Sequence, residues 1–145
     1  MFNYMNKILN RTGMSLLEIM VAFSILVLVF IALTQALPMA AGINKTAENA
    51  SKASYLAQQK LEELNSLGFD GAGAGAVEIK RRLSDNQENY LYYFQRQTDI
   101  VYLDDNFNQS AAETDLKKIT ITVYYANALS KSEKTYIIDA LMARW

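Results

Sequence analysis

From Ile19 to Leu33 the chain contains one polar residue, Ser24, and no other stretch of its 145 residues constrains the fold as much. Taken as a helix, Met14 to Leu37 extends about 36 Å at roughly 1.5 Å per residue, enough to cross a hydrocarbon core of about 30 Å. Lys7 and Arg11 are the only charges before Met14. The positive-inside tendency therefore keeps residues 1–13 in the cytoplasm and sends the remainder outward. In a secretory signal peptide the small-residue cleavage site follows the apolar region, whereas here Gly13 precedes it. A cut near Leu37 to Ala41 would need a longer apolar region than such peptides carry, so the run reads as a retained span.

Glu18 stands just inside this segment. A carboxylate at mid-membrane costs about 2.5–3.5 kcal/mol on insertion scales and less near the ends, so such acids tend to mark a partner or a pathway. The plainer alternative is that Glu18, near the cytoplasmic end, reaches interfacial water. The sequence Gly13-Met14-Ser15-Leu16-Leu17-Glu18 and the apolar run behind it resemble the type IV pilin signature. In that signature a leader ends in Gly, the cut falls before Met or Phe, and Glu is the fifth residue of the mature chain. A second stretch, Tyr55 to Leu64, contains Ala57-Gln58-Gln59-Lys60-Leu61-Glu62 and is similar to the end of the spine helix in I-type pseudopilins and V-type minor pilins.

The resemblance implies a leader of residues 1–13 removed by a prepilin peptidase between Gly13 and Met14, with N-terminal methylation at Met14. It implies that Glu18 neutralises the Met14 amine of an adjacent subunit during filament assembly. The partners it implies are the peptidase, an inner-membrane assembly platform with its ATPase, and other pilins or pseudopilins in a hetero-oligomeric filament. The expected function is that of a minor pilin, a structural subunit of a type IV pilus. The alternative within the family is the I-type pseudopilin of type II secretion. The expected location is the inner membrane, single pass with a cytoplasmic N-terminus, and then a periplasmic or cell-surface filament.

With the first third committed to leader and span, about a hundred residues remain for one small external domain. The chain has no Cys and no His. No disulfide framework stabilises that domain, and thiolate chemistry, His-dependent catalysis and Cys/His zinc sites are excluded. The expectation is a protein that is not an enzyme and has no cofactor. Net charge is −1, so no global field attracts nucleic acid.

Beyond the span, Pro38 and Gly42 predict a bend at residues 38–42. Residues 14–38 form the spanning half of a spine helix and residues 39–68 its amphipathic outer half. The stripe on the outer half is Ile43, Ala47, Ala50, Ala57, Leu61 and Leu64, and Gly68 is the expected C-cap. Phe69 to Ala76 reads as a loose connector, and Glu78 to Glu88 as a polar stretch with a short helical turn. Tyr90 to Thr98 reads as a core strand, continued by Ile100 to Leu103 after a bend. Ile119 to Tyr125 and Thr135 to Met142 read as an antiparallel hairpin around a turn at Asn127 to Ser132. The fold class is α+β: a long bent N-terminal helix packed on a small antiparallel sheet of three to four strands, the sheet domain occupying residues 69–145.

Two further clusters carry possible chemistry. Asp104-Asp105-Asn106-Phe107-Asn108 offers oxygen ligands, but the glycine and closing glutamate of a calcium loop are missing, so a solvated loop and no metal are expected. Tyr90, Tyr92, Tyr93 and Phe94, with Lys80 to Arg82 and Arg96 nearby, could form a stacking platform for single-stranded nucleic acid. An aromatic core strand accounts for the same residues, and nucleic acid is not an expected partner. Two rivals from other classes stand beside the filament subunit: a monomeric membrane-anchored binding module, and an enzyme on a stalk.

Overall fold

The computed structural model describes residues 15–144. The fold is α+β, a long N-terminal helix followed by an antiparallel sheet of five strands, with a pilin-like architecture. Helix α1 runs Leu16–Gly71, and a 3-10 turn spans Tyr90–Tyr93. The strands are β1 (Gly75–Arg82), β2 (Phe94–Leu103), β3 (Gln109–Ser110), β4 (Leu116–Ala126) and β5 (Glu133–Ala143). Their order is β1-β2-β4-β5, with the short β3 pairing β2. The chain divides into two compact units at Met39/Ala40.

The first unit is helix alone. Every large apolar side chain from Leu16 to Met39 is exposed, and the segment is long and apolar enough to cross a membrane. Its hydroxyls are satisfied within the helix, Ser24 Oγ donating to the Met20 carbonyl and Thr34 Oγ1 to that of Ile31, each at 2.8 Å. No hydroxyl there has to find a partner in lipid.

In the second unit the outer part of α1 lies on the sheet. Ala53, Leu56, Ala57 and Leu64 are buried against Phe94, Ile100, Ile119, Ile121, Val123 and Tyr125. Along β4 the odd-numbered residues are buried and the even-numbered ones partly exposed, as the period of two requires. Each such aliphatic side chain contributes about 1.5–3 kcal/mol when fully buried, against about 0–1 for an exposed ion pair. Packing of helix on sheet therefore holds this cysteine-free unit together.

Several expectations are corrected. The buried stripe is rotated: Ala53 and Leu56 belong to it, while Ile43 is 50% exposed and Ala47 is exposed, because the close sheet contact begins only at Ala50. Within α1 the one departure from helical backbone angles is Gly68, at φ 70° and ψ −179°. The helix continues one turn past Gly68 to Gly71. The predicted connector is the last turn of α1 and a short link that enters strand β1 at Gly75, and the first part of the predicted helical turn, through Arg82, is also β1, paired to β2 from Gly75↔Ile100 to Arg82↔Gln95. Its register shifts on either side of Glu78 explain why no alternation shows in the sequence. The aromatic run begins as a 3-10 turn, and β2 then passes through Ile100 to Leu103 without a break. Asn89 caps that turn, its side chain accepting from Leu91 N at 3.0 Å.

The β4–β5 hairpin forms in continuous register from Leu116↔Ala143 to Ala126↔Glu133. Its turn is tied to α1 at three levels. Asn49 Nδ2 donates to the Ala126 carbonyl at 3.2 Å. The single Thr46 Oγ1 proton is shared between the Gly42 carbonyl at 2.9 Å and Asn127 Oδ1 at 3.1 Å, and the same oxygen accepts from Ala128 N at 3.3 Å. Leu129 lies against Gly42, where a Cβ would overlap its side chain.

Candidate functional site

Gly13 and Met14, the expected cleavage and methylation positions, lie outside the described residues. The third expected site residue, Glu18, occupies the first turn of α1, which begins as Ile19 N donates to the Ser15 carbonyl at 3.2 Å. A carboxylate is favoured there because it faces the unpaired N–H groups and the positive end of the helix dipole. Glu18 lines a shallow groove of about 300 Å³ with Ile19, Ala22, Phe23 and Leu26. The small side chain of Ala22 leaves the groove open between bulkier neighbours. Glu18 makes no hydrogen bond or ion pair with another described residue. What α1 presents there is a lone carboxylate set in an exposed apolar segment.

The other clusters do not converge on a site. Among the described residues no group of three potential metal-ligating side chains forms. Asp104 turns its carboxylate inward on its own loop, accepting from Asn106 N at 2.9 Å and Asn108 N at 2.8 Å. The Asn108 backbone donor is the main reason its acidity is raised.

The basic margin of the aromatic platform is dispersed. Lys80 lies over the Tyr124 ring at 3.9 Å and pairs with Glu133 at 2.9 Å. Arg96 turns inward to Glu78. Only Arg82, over Tyr92 at 4.3 Å, and Lys52, over Tyr90 at 5.2 Å, remain near the rings. Tyr90 and Tyr93 are exposed, not core. Lys52 shares Glu48 with Lys45, and these partners, Lys52 first, hold the Glu48 carboxyl down to about 2.

Three polar arrangements escape sequence reasoning. Glu78, whose side chain is 5% exposed, accepts from Arg96 Nε at 2.7 Å and Arg96 Nη2 at 3.2 Å, from Arg81, and from Thr98 Oγ1. Burial is the largest influence on this carboxyl and pushes its pKa up, but Arg96, Arg81 and Thr98 together outweigh it and the net shift is downward. Lys117, 2% exposed, donates to the Phe69 carbonyl at 2.7 Å and lies over the Phe69 and Tyr102 rings. Arg144 reaches Asp70, Asp115 and Glu113 while covering the Phe69 ring. The last two clasp the end of α1. Lys117 had a usable signal, since it falls on the buried parity of β4. Glu78 had none, because the β1 bulges hide its parity.

Comparison with family models, curated proteins and solved structures finds no match.

Proposed function

We propose that this protein is a membrane-anchored filament subunit of the type IV pilin kind, a minor pilin whose leader is removed after Gly13. The observation that carries the reading is Glu18, alone in the first turn of an otherwise apolar exposed helix, on a chain whose C-terminal unit is a helix-packed antiparallel sheet. Lateral packing of such helices gains little from hydrophobicity, because lipid is equally apolar. A contact between Glu18 and the freed Met14 amine of a neighbour adds what packing alone lacks, and it exists only between subunits. Desolvation opposes this attraction, so its net strength depends on how closely the two groups meet.

Intact mass and N-terminal sequencing of the membrane-extracted protein, from cells with and without prepilin peptidase, test the proposal. A chain starting at Met14 only when the peptidase is present supports it. A full-length chain in both strains leaves a simple anchored domain, and a start near Met39 leaves a secreted one. Glu18→Ala separates assembly from anchoring: the variant is expected to reach the membrane at normal levels but to be lost from sheared filaments.

A further inference from the structure

The β4–β5 turn descends α1 one helical turn at a time. Ala126 meets Asn49, Asn127 and Ala128 meet Thr46, and Leu129 meets Gly42. Leu129 is thus among the folded unit's nearest points to the apolar run, counted along the chain. Gly42 lies five positions beyond Leu37, a helical contour of about 7.5 Å. The headgroup layer flanking a hydrocarbon core is about 5–8 Å deep on each side. The first charge after Glu18 is Lys45, farther on still.

The surface around this point has two properties that suit a lipid headgroup layer. It is apolar where it is open: Leu129 and Ile43 are each 50% exposed, and with Ala47 and Tyr125 they line a groove of about 390 Å³ that has Lys134 at its rim. It is also basic. Among the described residues neither Lys131 nor Lys134 makes an ion pair; of the nearby acids, Glu133 and Glu48 are engaged by Lys80 and by Lys45 and Lys52, and Glu88, which shares a groove with Ala126 and Ala128, offsets one lysine without cancelling the excess. The opposite end of the same unit leaves Asp104 and Asp105, just beyond β2, without an ion pair among the described residues, and its Glu113, Asp115 and Asp70 share the single Arg144, so it is acidic on the same count. An apolar tip flanked by free lysines is attracted to anionic phospholipid, and an acidic far end is repelled from it.

We infer that the Asn127 to Ser132 turn is a membrane-surface contact: Leu129 enters the headgroup layer of an anionic phospholipid leaflet, and Lys131 and Lys134 meet the lipid phosphates. This rests on the reading of α1 as a retained span. The contact holds the sheet unit against the bilayer while the subunit is stored there, and drawing the chain out of the membrane must break it.

The absence of cysteine allows single spin labels on the full-length chain. Val27→Cys reports on the span, Leu129→Cys and Ser130→Cys on the turn, and Asn108→Cys on the acidic end. The protein is reconstituted in phosphatidylcholine vesicles with and without phosphatidylglycerol. Collision with oxygen and with a water-soluble nickel complex is then measured by power saturation.

The expected result is a lipid-embedded signal at position 27 in both vesicle types. The oxygen-to-nickel ratio at positions 129 and 130 should be several-fold above that at 108 when phosphatidylglycerol is present. That excess should shrink without phosphatidylglycerol, and in the Lys131→Glu/Lys134→Glu background. Using position 130 guards against the packing lost at Leu129. A lipid-embedded label at 27 with labels at 129 and 130 as wet as that at 108 overturns the contact. A wet label at 27 overturns the span, and the contact falls with it.

Discussion

Arg96 and Glu78 show how one side chain decides the state of another. Arg96→Met leaves a buried carboxylate with only Arg81 and Thr98, and breaking a buried pair in this way costs about 3–5 kcal/mol. The two remaining partners place the expected loss at the lower end. The pH dependence weakens as well. In the parent the depressed Glu78 pKa supplies stability that is present above the unfolded value, near 4.5, and lost as pH falls through the lower folded value. In the variant both Arg96 contributions are lost, so the folded value rises relative to the parent and the deficit between the two narrows in acid. Urea midpoints at about pH 7 and about pH 4 check both the loss and its narrowing in acid. The two notable glycines also separate at this scale. Gly68 sits at φ 70° and ψ −179°, and an added Cβ there would meet nothing within 4 Å, so Gly68→Ala costs about 1–3 kcal/mol from backbone strain alone. At Gly42 an added methyl gains up to about 1 kcal/mol of helix propensity but overlaps both Cγ and Cδ2 of Leu129, so that half-exposed side chain must turn away and its packing on α1 offsets the gain. Gly42→Ala is expected to leave stability nearly unchanged, and thermal melts of the two variants together decide the contrast.

The end of α1 is an element-scale device. Gly68 breaks the helical backbone, and the last turn beyond it is held by Lys117 on the Phe69 carbonyl and by Arg144 over the Phe69 ring. Lys117→Met keeps the volume but leaves the buried carbonyl without that donor, an expected loss of about 1–3 kcal/mol. If the two features act as one, Gly68→Ala/Lys117→Met should cost less than the sum of the single changes, by a margin above the roughly 0.3–0.5 kcal/mol within which independent sites add. Legibility follows element by element. The hairpin is readable because Ile119, Ile121, Val123 and Tyr125 alternate without interruption, and α1 because its apolar run and stripe keep one period. Strand β1 is not readable: Gly73 and Gly75 adopt positive φ, the register slips twice, and its one buried side chain is a glutamate whose partners come largely from β2. For the candidate site, Glu18 stands out by its setting, whereas Leu129 gives no sign, because its meaning depends on a glycine far away in sequence.

For the whole molecule, the lack of histidine and the lowered carboxyls fix the response to pH. Glu48, lowered chiefly by Lys52, Glu78, and Asp139, lowered chiefly by the Thr120 hydroxyl, all contribute stability above their unfolded values and lose it as pH falls through the folded ones. Glu48 and Asp139 are exposed, so solvent screens their share. Melting temperature should be flat between about pH 5.5 and 8, where no side chain of the composition titrates at its ordinary value, and should decline gradually below about pH 4.5. A sharp step near pH 6.5 would contradict this. The three-level attachment of the β4–β5 turn has a mechanical side as well. Tension applied along α1 enters the folded unit beside Gly42 and loads the contacts at Gly42, Thr46 and Asn49 side by side. Bonds stressed in shear yield together at a high force, whereas bonds peeled in sequence yield one at a time at a low one. The turn acts as a clasp at the point where pulling begins, so traction on the helix reaches the sheet before it can unzip the hairpin.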